Sequence, residues 1–165
     1  MREKWKWGGV LVLAGGLSAA WATGQPKLDV NVQVEREVRQ VDRAGKETVV
    51  RQPVGREAKP GDVLVYTLRY RNVGDGPAVA AVLSDPVPPG TVFVPGSLEA
   101  AGAQALFSTD GSDFSAWPRV RVARPDGRVE EVQAPAAAIR HIRLALREQV
   151  PPGGAGTASF KVIVQ

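Results

Sequence analysis

Few residues in this chain have the chemistry of a catalytic site. His141 is the single histidine among 165 residues, and the absence of cysteine excludes thiol catalysis, disulfides and zinc thiolate sites. A histidine base needs an activated nucleophile and an orienting acid nearby, and no serine lies in a nucleophile-elbow pattern. Because Arg140 and Arg143 flank His141 on a predicted strand, we expect it to have a surface or packing role.

Acidic residues suggest a metal site only weakly. The stretch Asp110-Gly111-Ser112-Asp113 supplies two carboxylates, whereas calcium takes about six to eight oxygen ligands. It also lacks the spaced D-x-D-x-D-G loop that ends in Glu, and an Asx turn explains it as well. We therefore predict no metal and no cofactor. Asp62 and Asp85, at predicted strand ends, are expected to cap turns.

Aromatic and basic residues beyond Asp113 provide a candidate interaction surface. Its members are Phe114, Trp117, Arg119 and Arg121. An exposed Phe114–Trp117 pair would bind glycan or a protein partner. The favoured alternative is that Trp117 closes the open end of a core, since large aromatic side chains usually serve burial.

The arginines of this surface have two interpretations. Arg119 and Arg121 share strand parity and, with Arg124 and Arg128, would form a basic stripe for an anionic cell-wall polymer or lipid headgroups. Glutamates 130 and 131 lie across the predicted turn Pro125-Asp126-Gly127, so cross-strand ion pairs are the alternative, which we favour.

The N-terminus, MREKWKWGGVLVLAGGLSAAWATG, has the features of a secretory signal peptide. Basic residues precede a short apolar stretch from Gly8 to Ala20, and Ala20-Trp21-Ala22 fits the small-x-small cleavage rule. The apolar stretch is shorter than the ~20 residues of a membrane-spanning helix. Retention as an anchor is the alternative. Cleavage after Ala22 removes three positive charges and one negative charge, and the remaining net charge of +2 does not indicate nucleic-acid binding.

Alternating apolar and polar residues predict strands along the rest of the chain. The pattern is clearest from Leu28 to Val38 and from Val63 to Asn72. Turns such as Lys59-Pro60-Gly61-Asp62 separate the runs, and this punctuation favours an all-β sandwich over βαβ units. Further strands are predicted at 47–54, 79–83, 91–94, 105–108, 120–123, 129–132, 141–146 and 157–165.

The order and spacing of these elements resemble the DUF11 family, a bacterial and archaeal surface-protein repeat. The matching elements are Pro60-Gly61-Asp62, Leu64 to Asn72, Gly74 to Ala78, Ser84 to Ser97 and Val150 to Val164. The resemblance spans roughly Leu28 to Gln165. It implies an Ig-like β-sandwich exposed on the cell surface.

The sequence therefore predicts an all-β chain, an Ig-like antiparallel β-sandwich preceded by a cleavable signal peptide. We expect the signal peptide at 1–22, an N-terminal strand and hairpin at 23–58, and the DUF11-like sandwich at 59–165. An exported, non-catalytic structural or interaction module of the cell envelope is expected, in the periplasm or on the cell surface. Its partners would be other envelope proteins or cell-wall components.

Two other functions are considered. The long strand from Leu28 to Val38 is expected to complete its own sandwich, but it would form a homo-oligomeric surface filament if it added to a neighbouring copy. A carbohydrate-processing or peptidase accessory enzyme is disfavoured, because the sequence shows no acid–base pair and no nucleophile assembly.

Overall fold

The computed structural model describes residues 11–14, 24–55 and 57–165. Within these ranges it contains twelve strands, one short 3-10 helix and no α-helix, so no described helix is long and apolar enough to cross a membrane. The strands are β1 (Leu11–Ala14), β2 (Leu28–Val41), β3 (Glu47–Pro53), β4 (Val63–Asn72), β5 (Ala81–Pro86), β6 (Thr91–Phe93), β7 (Glu99–Ala100), β8 (Ala103–Ser108), β9 (Arg119–Ala123), β10 (Val129–Gln133), β11 (His141–Leu146) and β12 (Ala155–Val164).

The strands form two large sheets and one separate hairpin. The front sheet has the order β3-β2-β4-β12-β6, and β7 also pairs with β12. The back sheet has the order β1-β5-β11-β8, while β9 and β10 pair only with each other among the described residues. Every strand pairing within the described ranges is antiparallel. The predicted all-β antiparallel sandwich is confirmed.

The main core lies between the two sheets and follows the period-two alternation of the sequence. The front sheet contributes Leu64, Tyr66 and Leu68 from β4, and the back sheet contributes alternate residues of β5, β8 and β11. Tyr66 stacks on Phe160 of β12 with ring centroids 5.2 Å apart. Each such buried side chain stabilises the fold by about 1.5–3 kcal/mol, so the alternation itself specifies which faces meet.

Most strands differ from their predicted bounds by one or two residues, and β2 and β5 differ by three residues at one end. β2 continues to Val41, so the hairpin with β3 extends beyond Val63, the first residue of β4. β5 begins at Ala81 instead of residue 79, because Ala78 forms an isolated bridge with Val150 and Ala80 turns to a positive φ of 51°. Its alternation then places Asp85 inside the strand and on the buried side.

The predicted signal peptide, 1–22, and its cleavage site lie outside the described residues except for Leu11–Ala14. Those four residues form β1, which pairs antiparallel with the outer edge of β5 from Leu11 opposite Ser84 to Ala14 opposite Ala81. The predicted alternatives of cleavage and retention therefore stay predictions.

The side chain of Asn72 connects three segments at one end of the sandwich. It is fully buried at the end of β4, and its amide nitrogen donates to the carbonyls of Gly76 and Val150, each at 2.8 Å. Its amide oxygen accepts from the backbone N–H groups of Lys27 at 3.1 Å and Gly74 at 3.0 Å. The strand entry, the corner after β4 and the turn before β12 therefore share one polar centre.

Glycine at position 74 is required by close packing at this centre. A Cβ atom there would lie 2.1 Å from the backbone oxygen of Gln25, much nearer than any real contact. The same holds at Gly76, whose Cβ would lie 2.3 Å from the oxygen of Gly24. The corner therefore requires glycine because the segment 24–27 packs directly against it. Gly61 and Gly90 are required for a different reason, since each adopts a positive φ that other residues resist.

We expect Asn72→Ala to lower the free energy of unfolding by about 3 kcal/mol, because it leaves buried backbone donors and acceptors without partners. Urea unfolding followed by circular dichroism measures the change. Asn31→Ala, on the exposed outer face of β2, is the matched control and should change stability by less than about 0.5 kcal/mol. Equal costs for the two variants would contradict the connecting role of Asn72.

Candidate functional site

The β9–β10 hairpin is the part of the candidate surface that pairs with neither large sheet, although Val120 of β9 packs against the main core. Its turn is closed by a bond from the N–H of Gly127 to the carbonyl of Arg124 at 2.9 Å, and Gly127 adopts a φ of +81°. The predicted hairpin turn at Pro125-Asp126-Gly127 is confirmed. Nearly every residue of the hairpin is exposed, including Val129 at 66% and Val122 at 39% of their surfaces.

Trp117 anchors the base of this hairpin. Its indole Nε1–H donates to the carbonyl of Ala134 at 2.9 Å, and the N–H of Ala134 donates to the carbonyl of Pro118 at the same distance. The ring lies 5.1 Å from the ring of Phe107 and 6.3 Å from that of Phe93, centroid to centroid. The structure thus places Trp117 at the margin of the core, in agreement with the favoured interpretation.

Phe114 lies elsewhere, on the outer face of the back sheet. The guanidinium carbon of Arg143 sits 3.5 Å from the centroid of the Phe114 ring, which is a cation–π contact. Arg143 also approaches the hydroxyl of Ser84 at 3.4 Å. Phe114 and Trp117 therefore do not form one exposed aromatic pair.

The arginines of the hairpin pair with glutamates across it. Arg121 lies 3.5 Å and Arg119 lies 4.0 Å from the carboxylate of Glu131, and Arg124 donates to Glu130 through two nitrogens. The favoured prediction of cross-strand pairing is confirmed. Because these groups are exposed, each pair contributes only about 0–1 kcal/mol, and their main effect is to neutralise the basic stripe.

The acidic stretch Asp110 to Asp113 forms a turn stabilised by its own side chains. One carboxylate oxygen of Asp110 accepts from the N–H groups of Ser112 and Asp113 and from the hydroxyl of Ser108. The bonds from the two N–H groups hold the pKa of Asp110 well below its ordinary value. No group of three or more potential metal ligands comes together among the described residues.

His141 packs beneath that turn. A Cβ atom on Gly111, whose φ is +85°, would lie 2.9 Å from its Nε2 atom. The side chain is half-buried on the outer face of β11, opposite Ser108 and Pro86. This is the packing position that the sequence suggested.

Asp62 and Asp85 have different roles, although the sequence predicts turn capping for both. The carboxylate of Asp62 accepts the N–H of Lys59 at 2.8 Å and lies 3.4 Å from Arg36, and the bond from Lys59 lowers its pKa. Asp85 caps nothing. It is buried, one of its oxygens has no hydrogen-bond partner, and burial raises its pKa to about 7. The expectation for Asp85 is therefore wrong, because β5 continues through it.

Sequence reasoning missed two features of the surface. The sequence pattern predicts strands that contain the exposed valines of the hairpin. No pattern indicates that these two strands pair with neither large sheet. The pairing of β1 with the outer edge of β5 is the second feature, since Leu11 to Ala14 belong to the short apolar stretch that predicts a signal peptide.

Comparison of the chain with protein-family models, curated proteins and solved structures gives no match. The resemblance to the DUF11 family stays a prediction.

We expect Trp117→Phe to loosen the base of the hairpin while it keeps an aromatic ring near Phe107. Loss of the bond to Ala134 should cost about 1–3 kcal/mol and speed amide exchange in residues 119–133, measured by mass spectrometry. Phe114→Leu is the control, because its ring has no contact with the hairpin base among the interactions described above. If both variants left exchange in 119–133 unchanged, the anchoring role would be refuted.

Asp85 gives stability a specific pH dependence. Its folded pKa of about 7 exceeds the unfolded value of 3.8, so the folded state holds the proton longer. The stability that the folded state gains from this proton is fully present below pH 4. It is lost as the pH rises to 7, which lowers the free energy of unfolding by up to about 4 kcal/mol. The free energy of unfolding of Asp85→Asn should therefore rise relative to that of the native chain as the pH increases from 4 to 7. Asp113→Asn, at an exposed carboxyl, is the control, and parallel pH profiles for the native chain and Asp85→Asn would contradict the assignment.

Proposed function

We propose that this chain is an exported, non-catalytic structural or interaction module of the bacterial cell envelope, acting through surface contacts. The observation that supports this most strongly is the β9–β10 hairpin. It is clamped at its base by Trp117 and Ala134, yet it forms a two-stranded sheet of its own. A rigid scaffold that presents an exposed element in this way is suited to binding.

The chemistry of the hairpin favours a protein partner over an anionic polymer. Arg119 and Arg121 share the carboxylate of Glu131, so their positive charge is largely neutralised. Val122 and Val129 lie on opposite faces of the hairpin, because Val122 is opposite Glu130 and Val129 is opposite Ala123. Exposed apolar side chains beside paired charges are typical of protein contacts.

A self-assembling filament joined by strand addition is the alternative. In such a filament β2 would pair with a sheet edge of the neighbouring copy. In the structure, however, β2 pairs with β4 on one side and with β3 on the other. A filament would therefore need another donor or would require β2 to leave its own sheet.

An envelope cross-linking experiment tests the hairpin. A photoreactive residue at position 129 should capture a protein partner in living cells, and the double variant Arg121→Ala/Val129→Ala should lose that partner in pull-downs. The control Arg147→Ala/Val79→Ala removes the same side-chain types from an exposed region outside the hairpin. Equal loss in both variants, or turnover of a hydrolase substrate abolished by one point mutation, would overturn the proposal.

A further inference from the structure

The outer edge of β5 has a partner that export would remove. β5 pairs with β11 on its inner side and with Leu11–Ala14 on its outer side. Those four residues lie within the predicted signal peptide. Cleavage after Ala22 would therefore leave the backbone groups along the outer edge of β5 without a strand in the mature chain.

The part of β5 that pairs with β1 does not protect such an edge. Soluble proteins commonly block exposed strand edges with charged side chains, proline or bulges. From Ala81 to Ser84 there is neither a charge nor a proline, and the inward carboxyl of Asp85 and the ring of Pro86 lie beyond these four residues. β3, at the edge of the front sheet, instead carries Glu47, Arg51 and Pro53.

The N-terminal segments that would follow cleavage offer no good substitute for β1. The segment 24–27, which would follow the new N-terminus, is held at the corner by Asn72 and Asp75. β2 is paired on both sides, and β3 would bring Glu47 and Arg51 against an edge without opposite charges. The occupant of the β5 edge is therefore best sought in another protein.

We propose that the outer edge of β5 in the mature chain is an acceptor site for an extended, uncharged aliphatic segment of another exported protein. The segment binds antiparallel, in the register of β1. Backbone hydrogen bonds supply affinity, and alternate side chains supply specificity. Side chains opposite Ala81 and Leu83 face the core side and must be small or aliphatic, whereas those opposite Val82 and Ser84 face outward. The proposal rests on the proposed export and interaction function, but not on the β9–β10 hairpin.

A peptide experiment tests the site on the chain from Thr23 to Gln165. Among residues 24–165, both core clusters consist of side chains from 28 to 164, and the chain from Thr23 retains all of these side chains. The probe is the peptide GVLVLAG, residues 9–15, with lysine tails for solubility. Two control peptides are N-methylated at alternate residues, one at the equivalents of Leu11 and Leu13 and one at those of Val12 and Ala14, and both keep every side chain. Because the N–H groups of a strand point alternately to its two sides, only one control loses the two donors that face β5.

The probe should bind at least about tenfold more tightly than the control whose methylated N–H groups face β5, because that control loses two backbone hydrogen bonds. The other control should bind about as tightly as the probe. Fluorescence anisotropy of labelled peptides measures the three affinities. Absence of binding, or equal binding of all three peptides, would overturn the proposal.

Disulfide trapping locates the site, since the native chain has no cysteine. A probe with Leu13→Cys should cross-link to Val82→Cys, its register partner, and not to Val49→Cys on β3. In the full chain, Leu13→Cys with Val82→Cys should form an internal disulfide. Equally fast reaction of the probe with Val49→Cys would show non-specific capture and refute the site.

Three further outcomes separate this proposal from others. The hairpin variant Arg121→Ala/Val129→Ala should bind the probe normally, so failure of the hairpin contact leaves the acceptor site testable. Self-association of the mature chain that the probe reverses would assign the site to a second copy and overturn a foreign partner. An exported protein whose N-terminal sequence still includes Leu11–Ala14 would also overturn it, because the edge would then be filled.

Discussion

The buried carboxamide of Asn72 is the contact on which the arrangement of the two sheets depends. It uses its two amide hydrogens and its oxygen on backbone groups of three segments; the bonds to Gly76 and Val150 are buried, and those from Lys27 and Gly74 are partly buried. An unpaired buried amide or carbonyl is costly, so these segments are stable only together. Ala78 and Val150 then exchange backbone hydrogen bonds beside this centre and bring the back sheet against the front one.

The exposed strand edges of the fold differ in how they are protected. Charges and a proline protect β3, and the β9–β10 hairpin has its exposed arginines neutralised by glutamates. β5 differs, because its outer edge from Ala81 to Ser84 has no charged residue and is paired with a strand from the predicted leader. A sandwich with a well-packed interior can therefore present two contact surfaces of different chemistry, one made of side chains and one of backbone.

Local patterns predicted much of the fold. The bounds of β4 and β11 agree with the alternation of Val63 to Asn72 and His141 to Leu146, since each strand has one face in the core. The prediction for β5 was wrong at both ends. The strand begins late because Ala78 instead bridges to Val150, 72 residues further along the chain, and it continues to Pro86 because it pairs with β11. Asp85 was misjudged for the second reason, since it lies within that pairing, opposite Ile142.

The sequence by itself determined the class of fold, the positions of most turns, the absence of thiol chemistry and the ion pairing of the hairpin. These follow from interactions between residues close in the chain, or from composition. Only the tertiary structure decided that Trp117 closes the core, that Phe114 lies under Arg143, and that Leu11–Ala14 pairs with β5. Each of these depends on which sheet a distant segment joins, and that choice is made by packing across the whole core.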